Sequence, residues 1–367
     1  MIKTAYLSMF TALILLFGSS PIANTNHSEE EIKRYLDELF AARSTFLVKP
    51  NSKMTKYYDQ ATRSSRNAFR VEEKRKTYLN TWGEHRGIHF TGSQSKIRVT
   101  RIQTEGDTAK VSLAHSQKLS YIYVDKVLPP QSFGIGTWHS LTLKKKGGSW
   151  IVLKEWYLDP LDENPKLIEG SIGDTVNFPL HNETIKDGQK YKRKKAVEYA
   201  DKYAGTAWGA GNKGRYNPKY MNYNVKGGDC TNFASQVLGD QEEGGALQMK
   251  GPWRYRYGGG GTRTWVQTDA FKSFIIRSGY GEMIASGTFA ELIKPTSKHP
   301  DTAFAKLLPG DLIAHVLNND VDHFSVVTGF DDNGYPLVNS HTADRYRAPF
   351  DLGWDKHTHY ILIHIND

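Results

Sequence analysis

The chain has 367 residues, with 48 Lys or Arg against 39 Asp or Glu for a formal net charge of +9, and 8 Trp, 20 Tyr and 16 Phe among its 38% hydrophobic residues. That length exceeds one ordinary core and favours two domains, while so much apolar and aromatic material argues against disorder beyond the termini. A basic balance draws a protein toward polyanions, yet there is no zinc-finger spacing and no RNA-binding aromatic signature, and the longest basic run, Lys144 to Lys146, precedes a Gly-Gly turn, so nucleic acid is the least expected partner.

Residues 1–23 carry one Lys, an apolar stretch from Ala5 to about Phe17 and then small residues, with cleavage expected after Ala23. A membrane-spanning helix needs about 20 apolar residues, and Gly18, Ser19, Ser20 and Pro21 end this stretch early. The segment reads as a secretory signal peptide and the protein as secreted, extracellular and associated with the cell wall. No cysteine lies there for a lipid anchor.

From Glu29 to about Val48, Ile32, Leu36, Leu39, Phe40 and Leu47 recur at helical spacing, with Ser28 as the expected N-cap. A second helical stretch carries Tyr57, Tyr58, Phe69, Tyr78, Leu79 and Trp82. Short alternating runs then predict strands at 96–102, 109–114 and 120–124, followed by a hairpin in which Leu141–Leu143 and Trp150–Leu153 flank Gly147-Gly148. Helices followed by an antiparallel sheet predict an α+β accessory domain over 28–160. In element order and texture it resembles the cystatin-like cone domains. Tyr121, Tyr123 and Trp138 are expected to serve its core rather than a ligand.

Residues 161–190, rich in Pro, Asp, Glu, Asn and Gly, read as a linker. The second domain, 191–367, opens on an amphipathic helix over Tyr191–Ala204. A Gly-, Asn- and Tyr-rich loop leads into Gly-Gly-Asp-Cys-Thr-Asn-Phe-Ala-Ser-Gln from Gly227 to Gln236; after it come a loop at Gly258–Gly261, a helix near 269–278 and strands from Leu312 to Ile365.

Cys230 is the only cysteine, so it forms no internal disulfide, and a free thiol outside the cell is open to oxidation. It follows Gly-Gly-Asp and opens a helix whose Phe233, Ala234, Val237 and Leu238 share a face. At a helix N-terminus the dipole and unpaired N–H groups favour thiolate and can receive an oxyanion. The thiolate needs a base that later protonates the leaving amine. Of 13 His, His323 enters the strand Asp-His-Phe-Ser-Val-Val-Thr-Gly-Phe, where an adjacent strand would hold its ring. Asp331 to Gly334 then predicts a hairpin turn, in preference to a calcium loop. On the returning strand Asn339 and His341 share parity and are both expected to face the side of His323, where either would orient the imidazole.

The Gly-Gly-Asp-Cys-Thr-Asn-Phe-Ala-Ser-Gln run, the His323 strand and Val-Asn-Ser-His-Thr-Ala-Asp-Arg from Val338 to Arg345 resemble the bacterial "putative amidase" domain family, from about Tyr191 to the C-terminus. That family is similar to the NlpC and CHAP groups of papain-like cysteine hydrolases, many of which cut peptidoglycan. The resemblance implies a papain-like α+β domain with Cys230 as nucleophile, His323 as base, and a third polar group that NlpC-type alignment places at Asn339 and the family motif at His341-Thr342. Papain-type enzymes also place a side-chain donor just before the nucleophile. Asn224 and Tyr223 occupy that neighbourhood, with Tyr220 further upstream. Asp229 and Asn232 match the family motif, although a helix cap and a local hydrogen bond explain them without chemistry.

The expected activity is therefore hydrolysis of an amide bond in cell-wall peptidoglycan or a related anionic polymer, through a thioester and without cofactor or metal. The rival is a cell-wall-binding or adhesion protein on an inactive papain-like scaffold.

Overall fold

The computed structural model describes residues 22–49, 52–161, 164–171, 178, 180 and 184–367. Almost all of the expected signal peptide, and much of the expected linker, lie outside the described residues.

Two helices come first, α1 (Ile22–Val48) and α2 (Arg63–His85), then four strands, β1 (Ile88–Glu105), β2 (Thr108–Tyr123), β3 (Gln131–Lys146) and β4 (Ser149–Tyr157). The second half holds α3 (Arg193–Lys202), α4 (Cys230–Gly239), a ribbon of β5 (Tyr255–Arg256) and β6 (Gly260–Gly261), then α5 (Arg263–Val266), α6 (Thr268–Arg277), β7 (Gly281–Thr288) and α7 (Phe289–Leu292). It closes on β8 (Leu312–Leu317), β9 (Asp320–Phe330), β10 (Pro336–Ser340), β11 (Asp344–Pro349) and β12 (His359–Ile365).

This is an α+β molecule with one large antiparallel sheet. The helix α1 begins before Ser28, so the expected N-cap lies inside it. Tyr57 falls in a single 3-10 turn that precedes α2. The short strands expected at 96–102 and 109–114 are parts of two long ones, paired from Ile88–Tyr123 to the turn at Gly106-Asp107. Gly147 and Gly148, at φ of 57° and 82°, turn β3 into β4, a left-handed pair that glycine adopts freely.

The largest departure from expectation concerns the two halves. Ten strands form one sheet in the order β1-β2-β3-β11-β10-β9-β8-β12-β7, with β4 also on β3. One edge of β3 pairs with β2, while its other edge is shared: His139–Lys146 pair with β4, and Gly134–Gly136 pair with β11. The segments expected as separate domains, 28–160 and 191–367, are thus hydrogen-bonded to each other.

Buried side chains reinforce the joint. Ala348 and Leu352 pack in one cluster with Tyr78, Leu79, Trp82, Phe90 and Tyr121. Arg86 pairs with Asp351 at 2.7 Å, and Trp82 Nε1 donates to the same carboxylate at 3.0 Å. The hydroxyls of Tyr121 and Tyr123 donate to Asp331 at 2.9 and 2.7 Å. Both rings are core residues as expected, whereas Trp138 is 41% exposed.

On one face of the second half, Phe233, Ala234, Val237 and Leu238 of α4 meet Phe324 and Val326 of β9. On the other, Val327 and Ile313 pack with Phe289, Phe350 and Tyr360.

Candidate active site

Gly227 and Gly228 adopt φ of 106° and 127° and bring the chain to Asp229, after which α4 starts at Cys230. Cys230 is the first helical residue, 6% exposed. The backbone N–H of Phe324, the residue after His323, lies near its sulfur and favours the charged form, and Thr231 Oγ1 lies 3.8 Å away. Burial pushes the thiol up from its ordinary value, and the Phe324 N–H only partly offsets that. The expected helix-end thiolate is therefore held as thiol in the resting protein. Among the described residues, no hydrogen bond joins Cys230 to an imidazole.

Asp229 does not cap the helix with its side chain. Its Oδ1 accepts from the Tyr223 N–H at 2.8 Å and from Asn232 Nδ2 at 2.9 Å, and its Oδ2 meets His341 Nδ1 at 2.6 Å. Its own N–H donates to Thr342 Oγ1 at 2.8 Å.

His341 is committed on both nitrogens, since Nε2 lies 2.7 Å from the Tyr203 carbonyl oxygen. Its ring stacks on Phe233 at 4.0 Å and meets Tyr216 edge-on at 4.5 Å. Burial opposes its charge, but the bond to Asp229 and nearby carboxylates win, so its pKa is raised. Two acceptors on one ring suit an imidazolium, which is a clamp on the loop before Cys230 rather than a base.

Asn339 is engaged elsewhere. Its Nδ2 donates to Asp201 at 2.9 Å, and its Oδ1 accepts from Thr328 Oγ1 at 3.1 Å and the Arg347 N–H at 2.6 Å. Neither Asn339 nor His341 reaches His323, and the sheet register explains why. Leu337 pairs with Gly329 but Val338 with Val327, a one-residue shift at Thr328. Without that bulge Asn339 would oppose Val327 and share the face of His323. With it, Asn339 opposes Val326 and, with His341, faces α3 and α4.

His323 shares its face with Ser325 and sits across from His315 on β8. Its ring is 5.5 Å from both His315 and Trp354. Burial pushes its pKa well below the ordinary value, with Arg345 and His341 adding to the effect, so it is a neutral imidazole. Its Nε2 is buried with no hydrogen-bond partner among the described residues, as are His315 Nδ1, Trp354 Nε1 and Arg345 Nε. A neutral ring with an uncommitted nitrogen is able to accept a proton.

Asn224 Nδ2 donates to Tyr216 OH at 3.1 Å, and Asn224 Oδ1 takes a short bond from Thr342 Oγ1. Tyr223 OH accepts from the Gly261 N–H at 2.9 Å, which ties down the Gly258–Gly261 loop. Tyr220 OH donates to Asp240 at 2.7 Å. Beside Asn224 and Thr342 opens a cleft of about 470 Å³ whose walls include Trp138, Trp156, Tyr216 and Val225. Sequence reasoning missed Tyr216, Trp156 and the contribution of β3 and β4. Tyr216 comes from the loop just before the cysteine motif, whereas Trp156, β3 and β4 lie far from it in the chain, and only the β3–β11 pairing brings them in.

Residues 190–364 match the family model described as "Putative amidase domain". The matched segment holds Cys230, His323, Asn339 and His341, and it suggests a hydrolase of amide bonds. No curated protein matches the chain. Among solved structures, the intermembrane space region of the chloroplast protein ARC6 is similar over 36% of this chain and 94% of that one, at 8% identity and a TM-score of 0.24. An NTF2-like protein of unknown function from Shewanella baltica OS155 is similar over 38% of this chain and 96% of that one, at 14% identity and a TM-score of 0.19.

Proposed function

We propose that the protein is an exported cysteine amidase in which Cys230 attacks the carbonyl carbon of an amide in cell-wall peptidoglycan. The observation that carries this reading is the thiol at the first residue of α4, against the N–H of the residue that follows His323. Once His323, whose ring rests on the sheet face opposite α4, is brought to the sulfur, it takes the thiol proton as attack proceeds and returns it to the leaving amine, which departs as the thioester forms. Water, deprotonated by the same imidazole, then releases the acid and restores the thiol. Backbone N–H groups at the start of α4 are suited to receive the oxyanion. A proton held on sulfur until substrate arrives agrees with the raised thiol pKa and the neutral His323. His341 and Asp229 position the loop that carries the nucleophile. The basic charge favours an anionic polymer as substrate.

One observation favours the second reading, a binding protein on an inactive scaffold: Cys230 is buried and, among the described residues, makes no hydrogen bond to an imidazole. Purified peptidoglycan incubated with the full chain separates the two. The amidase reading expects new amine termini by mass spectrometry, absent with Cys230→Ser. Intact muropeptides after wild-type digestion would leave the binding reading in possession.

A further inference from the structure

The helices α1 and α2 cover only one face of the sheet formed by β1–β4, through Val111, Leu113, Leu141, Leu143 and Val152. Among the described residues the opposite face carries no helix, and its side chains follow from the register, because residues directly opposed on neighbouring strands point the same way. One row across the sheet is Arg98, Ala114, Trp138; the next is Arg101, Ser112, Ser140, Trp156; the third is Gln103, Lys110, Thr142, Lys154. Every charged side chain in these rows is a cation, and none of them has an ion-pair partner among the described residues. The first acid, Glu105, comes at the hairpin end in the same row as Lys144.

Two large indoles stand open among these cations, Trp138 at 41% and Trp156 at 68% exposure. Arg98 lies over the Trp138 ring at 5.5 Å. Exposed tryptophan is costly to leave in water, and a contiguous aromatic patch of this kind marks a contact surface. The same two indoles form a wall of the cleft that reaches Asn224 and Thr342, and Thr342 accepts the N–H of Asp229 beside Cys230. Cations attract an acidic chain along the strands, hydroxyls of Ser112, Ser140 and Thr142 meet polar groups, and indole faces stack on the C–H faces of sugar rings.

We infer that this open face of β1–β4 binds an acidic polysaccharide strand and leads it into the cleft beside Cys230. The inference rests on the cell-wall reading for its choice of polymer, but binding is measured on Cys230→Ser protein, so loss of hydrolysis and loss of binding are read separately. The probes are polygalacturonate, neutral dextran and a single-stranded oligothymidylate, titrated by calorimetry into the full chain at about 0.15 M ionic strength, where charges more than ~8 Å apart are largely screened.

Polygalacturonate is expected to bind and dextran to bind far more weakly. Arg98→Glu/Arg101→Glu/Lys154→Glu should weaken polygalacturonate by about tenfold or more, and the equally charged control Lys74→Glu/Lys294→Glu/Lys306→Glu by less than about twofold, since only local charges escape screening. Trp156→Ala alone, at an exposed site, should weaken it several-fold with an unchanged urea midpoint, and it decides the matter if the triple variant does not fold. No binding of polygalacturonate, equal weakening by the control, or tighter binding of oligothymidylate through the same residues would each overturn the assignment.

Discussion

Asp229 stands one residue before Cys230 and holds three parts of the molecule at once: the Tyr223 backbone, Asn232 of α4 and His341 beyond β10. With both carboxylate and imidazole buried, removing one partner strands the other. Asp229→Ala should therefore cost roughly 3–5 kcal/mol in urea unfolding, the range for a broken buried pair. A loss under about 1 kcal/mol would mean that the pair does not hold the loop. The sequence made Asp229 visible, as a residue of the cysteine motif, but suggested a helix cap. Which donors a carboxylate accepts from depends on the groups brought in from elsewhere in the chain, and His341 lies 112 positions away.

At the scale of elements, β3 is the strand on which the two halves meet. Its Gly134 and Gly136 leave room for the loop after α3: a Cβ on Gly134 would fall 1.8 Å from the Trp208 carbonyl oxygen, and one on Gly136 would fall 2.3 Å from Thr206 Oγ1. Gly106 has φ of 55° but open space around it, so Gly106→Ala should cost only about 1–2 kcal/mol for left-handed backbone. Gly134→Ala should lose more than that in the same denaturation series, because backbone must move. Equal losses would show that the close approach is not needed.

The periodicities of α2, α3, α4 and α6 were legible in the sequence because a helix face is a local pattern, as was the Gly147-Gly148 hairpin. The face of Asn339 and His341 was not. Parity gives a face only if the register is unbroken, and the one-residue shift at Thr328 reverses it. Nor was the β3–β11 pairing legible, since nothing in a strand's own residues names a partner some two hundred positions on.

At the scale of the whole molecule, the continuous sheet predicts that residues 191–367 do not fold alone. Without β3 the edge of β11 is bare, and Asp351 and Asp331 lose Arg86, Trp82, Tyr121 and Tyr123. That fragment should show no cooperative thermal transition, and a transition matching the full chain's would show that the second half is self-sufficient. The cleft beside Cys230 likewise takes its walls from both halves.

The chemistry assigned to this assembly turns on one atom, the Cys230 sulfur, and on the covalent bond it forms. The most direct measurement is intact-protein mass spectrometry of the full chain, acid-quenched within its first turnovers on purified muropeptides. The account predicts a mass increase equal to the acyl part of the cleaved substrate, mapped to Cys230, removed by neutral hydroxylamine and absent in Cys230→Ser. Amide cleavage that proceeds at the wild-type rate in Cys230→Ser, with no adduct in either protein, would contradict it.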